Sequence, residues 1–254
     1  MITIKTKEEI AILREGGKRH AFILNELKNM VKPGVSSQVL EDRARELIRE
    51  GGDTSSFLNY KPRGLKTPFP AALCVSINNE VVHGMPNPSK VFKDGDLVTL
   101  DLGLIHKGLF TDAAITVPVG NVSEDKIKMM RVAEEALANG IKAARGGKSV
   151  GDIGVAIERT ILPHSYGLVE ELCGHGVGYS VHEEPFIPNY GEANTGPKLK
   201  AGMVLAIEPI INLGSKKVKP IGDGHVYVTT DGSVSVHVEH TVLITKSGAE
   251  ILTQ

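Results

Sequence analysis

Tryptophan is absent from this 254-residue chain, cysteine appears twice, and aromatic residues make up 4% of the sequence. Cys74 and Cys173 stand far apart with no CxxC, which argues against a structural zinc site and a disulfide framework. Charge of one sign is also lacking: 29 Lys and Arg face 30 Asp and Glu, a formal net charge of −1. A nucleic-acid binder should show a basic surplus, so direct nucleic-acid readout is not expected. No apolar run approaches the ~18 residues of a membrane span. The amino end, MITIKTKEEI, has no apolar stretch of the kind a secretory signal needs. What is present is 41% hydrophobic and 23% charged residues, an ordinary globular composition in a chain long enough to bury a sizeable core. The expectation is a water-soluble, cytoplasmic protein.

Thr6 and Glu9 are spaced as a capping box, and Leu13, Gly17, Ala21, Leu24, Leu27 and Val31 follow at helical spacing until Lys32-Pro33-Gly34. Ser36 or Ser37 opens a second helix with Leu40, Ala44, Leu47 and Ile48 on one face, ended by Gly51-Gly52. From Leu73 the pattern changes to short Val-, Ile- and Leu-rich runs broken by Gly, Asn and Pro, which read as strands. Helices return after Ser123, to about Ala144, and after Ser149, whose spacing to Asp152 is again that of a capping box, to about Ile161. Strand-like runs at 203–212, 225–229 and 234–245 close the chain.

The order helix, helix, strands therefore occurs twice, and two segments match in register. Lys93-Asp94-Gly95-Asp96-Leu97-Val98-Thr99-Leu100-Asp101 lies over Lys200-Ala201-Gly202-Met203-Val204-Leu205-Ala206-Ile207-Glu208. Lys32-Pro33-Gly34-Val35-Ser36 lies over Arg145-Gly146-Gly147-Lys148-Ser149. The spacing reads as two similar halves packed as one unit, bringing Asp101 and Glu208 to related positions near a shared interface.

Asp101 ends the run LVTLD, and Asp112 lies in the next strand, LFTDAAITV. A turn centred on His106-Lys107 pairs these two aspartates directly; centring it on Lys107-Gly108 shifts the register by two and keeps both on one face. A plain hairpin with both carboxylates in water is the bland alternative. Glu208 in MVLAIEPII and Glu239 in VSVHVEHTVLIT weigh against it, because an acidic residue in an apolar strand needs a cation or a bonded network. Four such carboxylates with nearby histidines suggest a divalent-metal centre, of a mixed oxygen and imidazole type that suits Mn, Fe, Co or Zn. Among the nine histidines, His20, His106, His164 and His240 read as surface or structural. His83 ends an apolar strand at a Gly/Pro turn, His175 sits between two glycines that allow close approach to a ligand, and His182 follows beside Glu183 and Glu184, read as a solvated pair.

Taken together, NEVVHGMP, LDLG with TDAAITV, GHGVGYSVHEEP, AIEPI and VEHTVLIT resemble the type I methionine aminopeptidases of the pita-bread family of dinuclear metallopeptidases, M24. The resemblance runs from the first helix to the final strand. It implies an α+β pita-bread fold: one catalytic domain over 1–254, two pseudo-symmetric halves of about 1–120 and 121–254, and a central curved antiparallel sheet covered by helices on its outer face. It also implies two divalent metal ions (Co, Mn, Fe or Zn), with Asp101 on one, His175 and Glu208 on the other, and Asp112 and Glu239 bridging. Glu208 would move the proton of the attacking water, His182 would stabilise the oxyanion, and His83 would bond the substrate near the scissile amide nitrogen. The implied activity is removal of amino-terminal methionine when the second residue is small. Peptide or nascent-protein amino termini are the implied substrates, the ribosome a further partner, and a monomer the expected state.

Departures from the family pattern fall in the side-chain pocket, which the resemblance assigns to Phe69, Cys74, Val181 and His225. Val181 and His225 replace usual aromatics, and Leu65-Lys66 stands where a tyrosine is usual. A looser pocket is the expectation. Xaa-Pro aminopeptidases or prolidases of the same fold are one alternative, although they carry a large amino-terminal domain for which this chain has no room. Type II methionine aminopeptidases insert a helical segment for which the 26 residues from His182 to Glu208 leave no space. A non-catalytic pita-bread binding module would have lost ligands, whereas all five are present here.

Overall fold

The computed structural model describes residues 2–62 and 64–254. Two helices, α1 (Lys7–Met30) and α2 (Ser37–Glu50), precede β1 (Thr54–Ser55), β2 (Leu73–Ile77), β3 (Glu80–Val82) and the long hairpin β4 (Leu97–His106) and β5 (Leu109–Pro118). A second pair, α3 (Glu124–Ala143) and α4 (Val150–Ile161), is followed by β6 (Gly167–Leu168), β7 (Gly174–Gly176), β8 (Glu183–Ile187) and β9 (Val204–Ile207). The chain continues through β10 (Ile210–Asn212), β11 (Val218–Ile221), β12 (Val226–Thr229), β13 (Ser235–His237), β14 (His240–Ile244) and β15 (Ala249–Ile251). Thr6 and Glu9 form the expected capping box, and Asp152 accepts the Ser149 N–H at the start of α4. No described helix is long and apolar enough to cross a membrane.

The two halves repeat each other at the level of single hydrogen bonds. Gly34 N–H donates to the Phe92 carbonyl and Phe92 N–H to the Val35 carbonyl; Gly147 donates to Leu199 and Leu199 to Lys148 in the same way. Ser36 bridges to Val91, and Ser149 to Lys198. The turns demand glycine for the same reason in both copies, with φ of 86° at Gly34 and 88° at Gly147. Each helix pair packs on its own strands. In the first half Leu27 and Leu40 are buried against Leu100 and Leu102; in the second, Met129, Ile153 and Ile157 against Ile207 and Ile211. Burial of such a side chain contributes ~1.5–3 kcal/mol. Glu41, buried on α2, ties the first helix layer to the sheet by accepting the N–H groups of Ala72 and Leu73.

The hairpin has the second of the two registers. Asp101 lies opposite Ala114 and Asp112 opposite Gly103, so the two aspartates share a face without pairing directly. The cause is the turn: Lys107 and Gly108 both have positive φ, 48° and 82°, which is the type I′ geometry a two-residue hairpin favours. The later runs are also interrupted. Pro209 has no N–H to give a ladder, and the chain changes partners there: β9 pairs with β14, whereas β10 pairs with β13. Both runs switch sheets together, leaving Glu208 and Glu239 at the two breaks.

A seam between β5 and the segment 237–241 joins the halves. Ala114 and Glu239 exchange backbone hydrogen bonds of 3.3 and 2.9 Å. Thr241 Oγ1 donates to the Asp112 carbonyl and accepts from the Asp112 N–H, and Thr116 Oγ1 donates to the His237 carbonyl. Two acidic residues, one from each half, are thereby held side by side.

Candidate active site

A cavity of about 220 Å³ opens on this seam, lined by Asp101, Asp112, His175, Glu208 and Glu239 at one end. Asp101 comes from β4 and Asp112 from β5, His175 from β7, and Glu208 and Glu239 from the two breaks. Ligand atoms of Asp112, His175 and Glu239 lie within 4.8 Å of one another. His175 Nε2 is 3.6 Å from Glu208 Oε1 and 3.9 Å from Asp112 Oδ2. Its Nδ1–H donates to the Gly176 carbonyl at 3.0 Å, which leaves Nε2 with a lone pair facing the carboxylates. The glycines beside His175 serve the sheet: a Cβ at Gly174 would meet the Ala206 carbonyl at 2.4 Å, and one at Gly176 the Glu184 carbonyl at 2.3 Å. The close approach they allow here is that of neighbouring backbone.

Electrostatics at this end call for a cation. Burial pushes Asp101 up to about 7, and burial with mutual repulsion raises Asp112, Glu208 and Glu239 well above the usual carboxylate range. Asp101 Oδ1, Asp112 Oδ1 and Glu239 Oε1 are buried with no hydrogen-bond donor. None of the described lining residues is Lys or Arg. Burial also lowers His175 to about 4, so its ring is neutral at pH 7 and a competent ligand. Orphaned carboxylate oxygens with one aimed imidazole fit a divalent metal of the Mn, Fe, Co or Zn kind.

Proton linkage makes this testable. Raised carboxylate pKa values mean that the folded state binds more protons than the unfolded one, so their contribution to stability is lost as pH rises, through about 7 for Asp101. The lowered histidines act in the opposite sense, below the ~6.5 at which an unfolded His titrates. From pH ~6.5 to 8 the carboxylates therefore dominate: the Tm of chelated protein should fall, and the gain in Tm on adding Mn²⁺ should grow. Calorimetry that finds a gain independent of pH would show that these carboxylates are not the ligands.

His83 and His182 stand around the rest of the cavity. His83 has φ of 58°, rare for a residue with a side chain, and its Nδ1–H donates to the His225 carbonyl at 3.1 Å. That bond leaves Nε2 as an acceptor. His182 lies at the exposed rim with its ring edge-on to His175, centroids 4.5 Å apart, and is lowered to about 4 by desolvation first and His175 second. Glu183 is not solvated: it accepts from Lys5 Nζ and Thr3 Oγ1, and from the N–H groups of Tyr179 and Ser180, pinning the turn before His182.

The apolar wall consists of Phe57, Phe69, Cys74 and Val82, with Tyr60, Pro62 and His225 beside them. Phe57 reaches it because the strand opposite Asp112 carries Gly103, where a Cβ would come within 2.7 Å of the Phe57 ring. Val181 does not line the cavity. It is buried behind the wall against Phe57, Phe69 and Cys74, so its small size does not open the pocket directly. The ring expected to be missing at Leu65-Lys66 has a counterpart in Tyr60. Phe57, Tyr60, Pro62, Val82 and His237 are the described lining residues that sequence reasoning passed over. His237 Nε2 lies 3.6 Å from Glu208 and 3.7 Å from Glu239. Its signal was present, since 235, 237 and 239 alternate onto one strand face in VSVHVEH.

Comparison with known proteins agrees with this geometry. Residues 11–246 match the model of metallopeptidase family M24. Methionine aminopeptidase 1 of Bacillus subtilis is 43% identical over 254 residues, covering all of both chains, and the methionine aminopeptidase of Aquifex aeolicus is 44% identical over 257 residues, 99% of its length. The crystal structure of the Thermotoga maritima methionine aminopeptidase superposes with a TM-score of 0.96 at 40% identity, covering all of each chain. The prolidase of Pyrococcus furiosus shares the fold more distantly, at TM-score 0.76 and 26% identity, and this chain covers 65% of it. A carboxylate-rich centre on the seam of two like halves, in a chain matched end to end by such relatives, has one reading: the chain belongs to metallopeptidase family M24, among its methionine aminopeptidases, and depends on divalent metal.

Proposed function

We propose that this chain removes amino-terminal methionine from nascent proteins whose second residue is small, acting in the cytoplasm as a monomer on chains that emerge from the ribosome. It works as one catalytic unit over 1–254, with halves of about 1–120 and 121–254. The observation that carries this reading is the adjacency, in a single cavity of about 220 Å³, of the carboxylate and His175 cluster to the wall of Phe57, Phe69, Cys74 and Val82. That volume lies below the ~300–1,000 Å³ of ordinary ligand pockets and suits one chain end. An apolar wall selects an apolar first side chain, and the cluster beside it acts on the bond that follows.

Asp101, Asp112, His175, Glu208 and Glu239 would hold two divalent ions, Asp112 and Glu239 being the ligands that would serve both. When bound, such a pair supplies Lewis acidity toward a carbonyl and lowers the pKa of water to near neutrality. Glu208, its side chain 12% exposed, is the carboxylate placed to take the proton of the attacking water and return it to the leaving amine. His182 donates to the oxyanion, and His83 Nε2 accepts the scissile amide N–H. Phe69, Cys74 and His225 bound the methionine side chain, with Val181 supporting them from behind.

Incubation of Met-Ala-Ser, norleucine-Ala-Ser, Leu-Ala-Ser and a Gly-Pro dipeptide with Mn²⁺-loaded protein tests this. Methionine should be released fastest, with norleucine, which only exchanges the thioether sulfur for a methylene, close behind. Leucine, whose branched side chain reaches one atom less far, should be slower by the ~1–3 kcal/mol that one methylene is worth in an apolar pocket. Hydrolysis of Gly-Pro in preference to Met-Ala-Ser would favour the prolidase-like alternative.

A further inference from the structure

The hydroxyl of Tyr60 lies 3.0 Å from Nδ1 of His182, and the two rings are tilted by 55° with centroids 5.5 Å apart. The contact spans the two halves: Tyr60 precedes β2, and His182 lies in the turn before β8. Both ends are held from elsewhere. Tyr60 N–H donates to the Phe57 carbonyl, its own carbonyl accepts from Phe69 N–H, and Asn59 N–H donates to the Phe69 carbonyl. These bonds close the loop 60–69 at its base. Its far side is tied to the second half, where Thr67 Oγ1 donates to Asp223 and the Thr67 carbonyl faces His225 Nε2 at 3.0 Å. His182 is fixed in turn through Glu183, which Lys5 and Thr3 anchor. Neither partner of the Tyr60–His182 bond therefore hangs on a free loop end.

A neutral imidazole carries its proton on one nitrogen or the other, and a partner at one nitrogen decides what the other can do. Burial holds the Tyr60 phenol above its ordinary pKa, so it keeps a proton to give throughout the neutral range. We propose that Tyr60 is a positioning residue for catalysis: its O–H donates to His182 Nδ1 and locks the tautomer with the proton on Nε2, the nitrogen left for substrate. This rests on the assignment of His182 as the oxyanion donor. It also gives the cavity two imidazoles of opposite character, since the His225 carbonyl makes His83 Nε2 an acceptor, whereas the phenol makes His182 Nε2 a donor. An amide presents an N–H and a C=O on opposite sides, and the pair is complementary to it.

The test uses Tyr60→Phe, which keeps the ring and removes the hydroxyl, alone and combined with His182→Ala. In metal-free protein carrying ¹⁵N-labelled histidine, His182 should show a protonated Nε2 and an unprotonated Nδ1, and Tyr60→Phe should shift it toward a mixture. With Mn²⁺ bound, Tyr60→Phe should lower kcat about tenfold, the scale of one lost hydrogen bond, with KM and metal content unchanged. In the His182→Ala background the same substitution should have no further effect. A protonated Nδ1 in the parent protein, or equal losses of kcat in both backgrounds, would overturn the proposal. Unchanged kcat in His182→Ala would remove the oxyanion assignment instead, a failure separable from that of the tautomer lock, which the spectrum reads independently.

Discussion

Glu239→Ala should yield a folded protein that has lost metal and nearly all turnover. The Glu239 backbone stitches the halves through its exchange with Ala114, and those bonds survive truncation of the side chain. The carboxylate itself is 3% exposed, has an orphaned oxygen, and contributes one of the three ligand atoms within 4.8 Å. Its loss should lower kcat by more than the ~10²–10³ that removal of one oxyanion donor costs. Stability should move the other way. Without metal the four carboxylates repel one another, so removing one should raise the Tm of chelated Glu239→Ala above that of the chelated parent. Elemental analysis, kinetics on Met-Ala-Ser and calorimetry measure the three effects. Full metal content with full rate would show that Glu239 is not a ligand, and Asp112→Ala, its partner across the seam, should behave alike.

His182→Ala and His175→Ala should fail in opposite ways although their rings are 4.5 Å apart. His175 is 5% exposed, directs Nε2 at Asp112 and Glu208, and has its tautomer set by the Gly176 carbonyl. Its replacement should cost metal affinity first and activity in consequence, recoverable in part with excess Mn²⁺. His182 stands at the rim with Tyr60 on one nitrogen. Its replacement should leave metal stoichiometry intact and lower kcat by roughly 10²–10³, with little change in KM. Titration of metal into each variant, followed by kcat at saturating metal, separates the two. Loss of metal from His182→Ala would reverse the assignments.

Much of this was legible in the chain because it is local. Thr6 with Glu9 and Ser149 with Asp152 announce helix starts within four residues, and the matching glycine turns at Gly34 and Gly147 expose the duplication. The four carboxylate candidates stood out because a carboxylate inside an apolar run has few innocent explanations, and His175 joined them through the resemblance of its motif. What stayed hidden depends on distant neighbours. The hairpin register rested on whether Gly108 joined the turn, a choice of one residue that two apolar strands tolerate equally well. Val181 looked like a pocket residue from its place beside His182, but which side of the wall it occupies is decided by Phe57 and Phe69. Tyr60 sits 122 residues from the histidine it meets, in a loop with no periodicity to read.

Glu208 and Glu239 occupy the places where two strands change sheets at once, and this has a consequence for how such an enzyme can diverge. Between those breaks the chain carries thirty residues, β10 to β13, where the first half carries ten between Asp101 and Asp112, so most of this segment, β11 and β12 included, is extra to the hairpin of β4 and β5. That excursion supplies His225, which helps to line the cavity, and brings Asp223 to Thr67. Reaction chemistry thus belongs to the duplicated framework, and recognition is divided between Phe57, Phe69, Cys74 and Val82 of the first half and an appendage carried by one copy. Lineages can rewrite the appendage, in length as well as in sequence, while the inherited framework keeps its donors in register. Substrate preference is then the trait expected to drift fastest in this architecture, and hydrolysis the last to be lost.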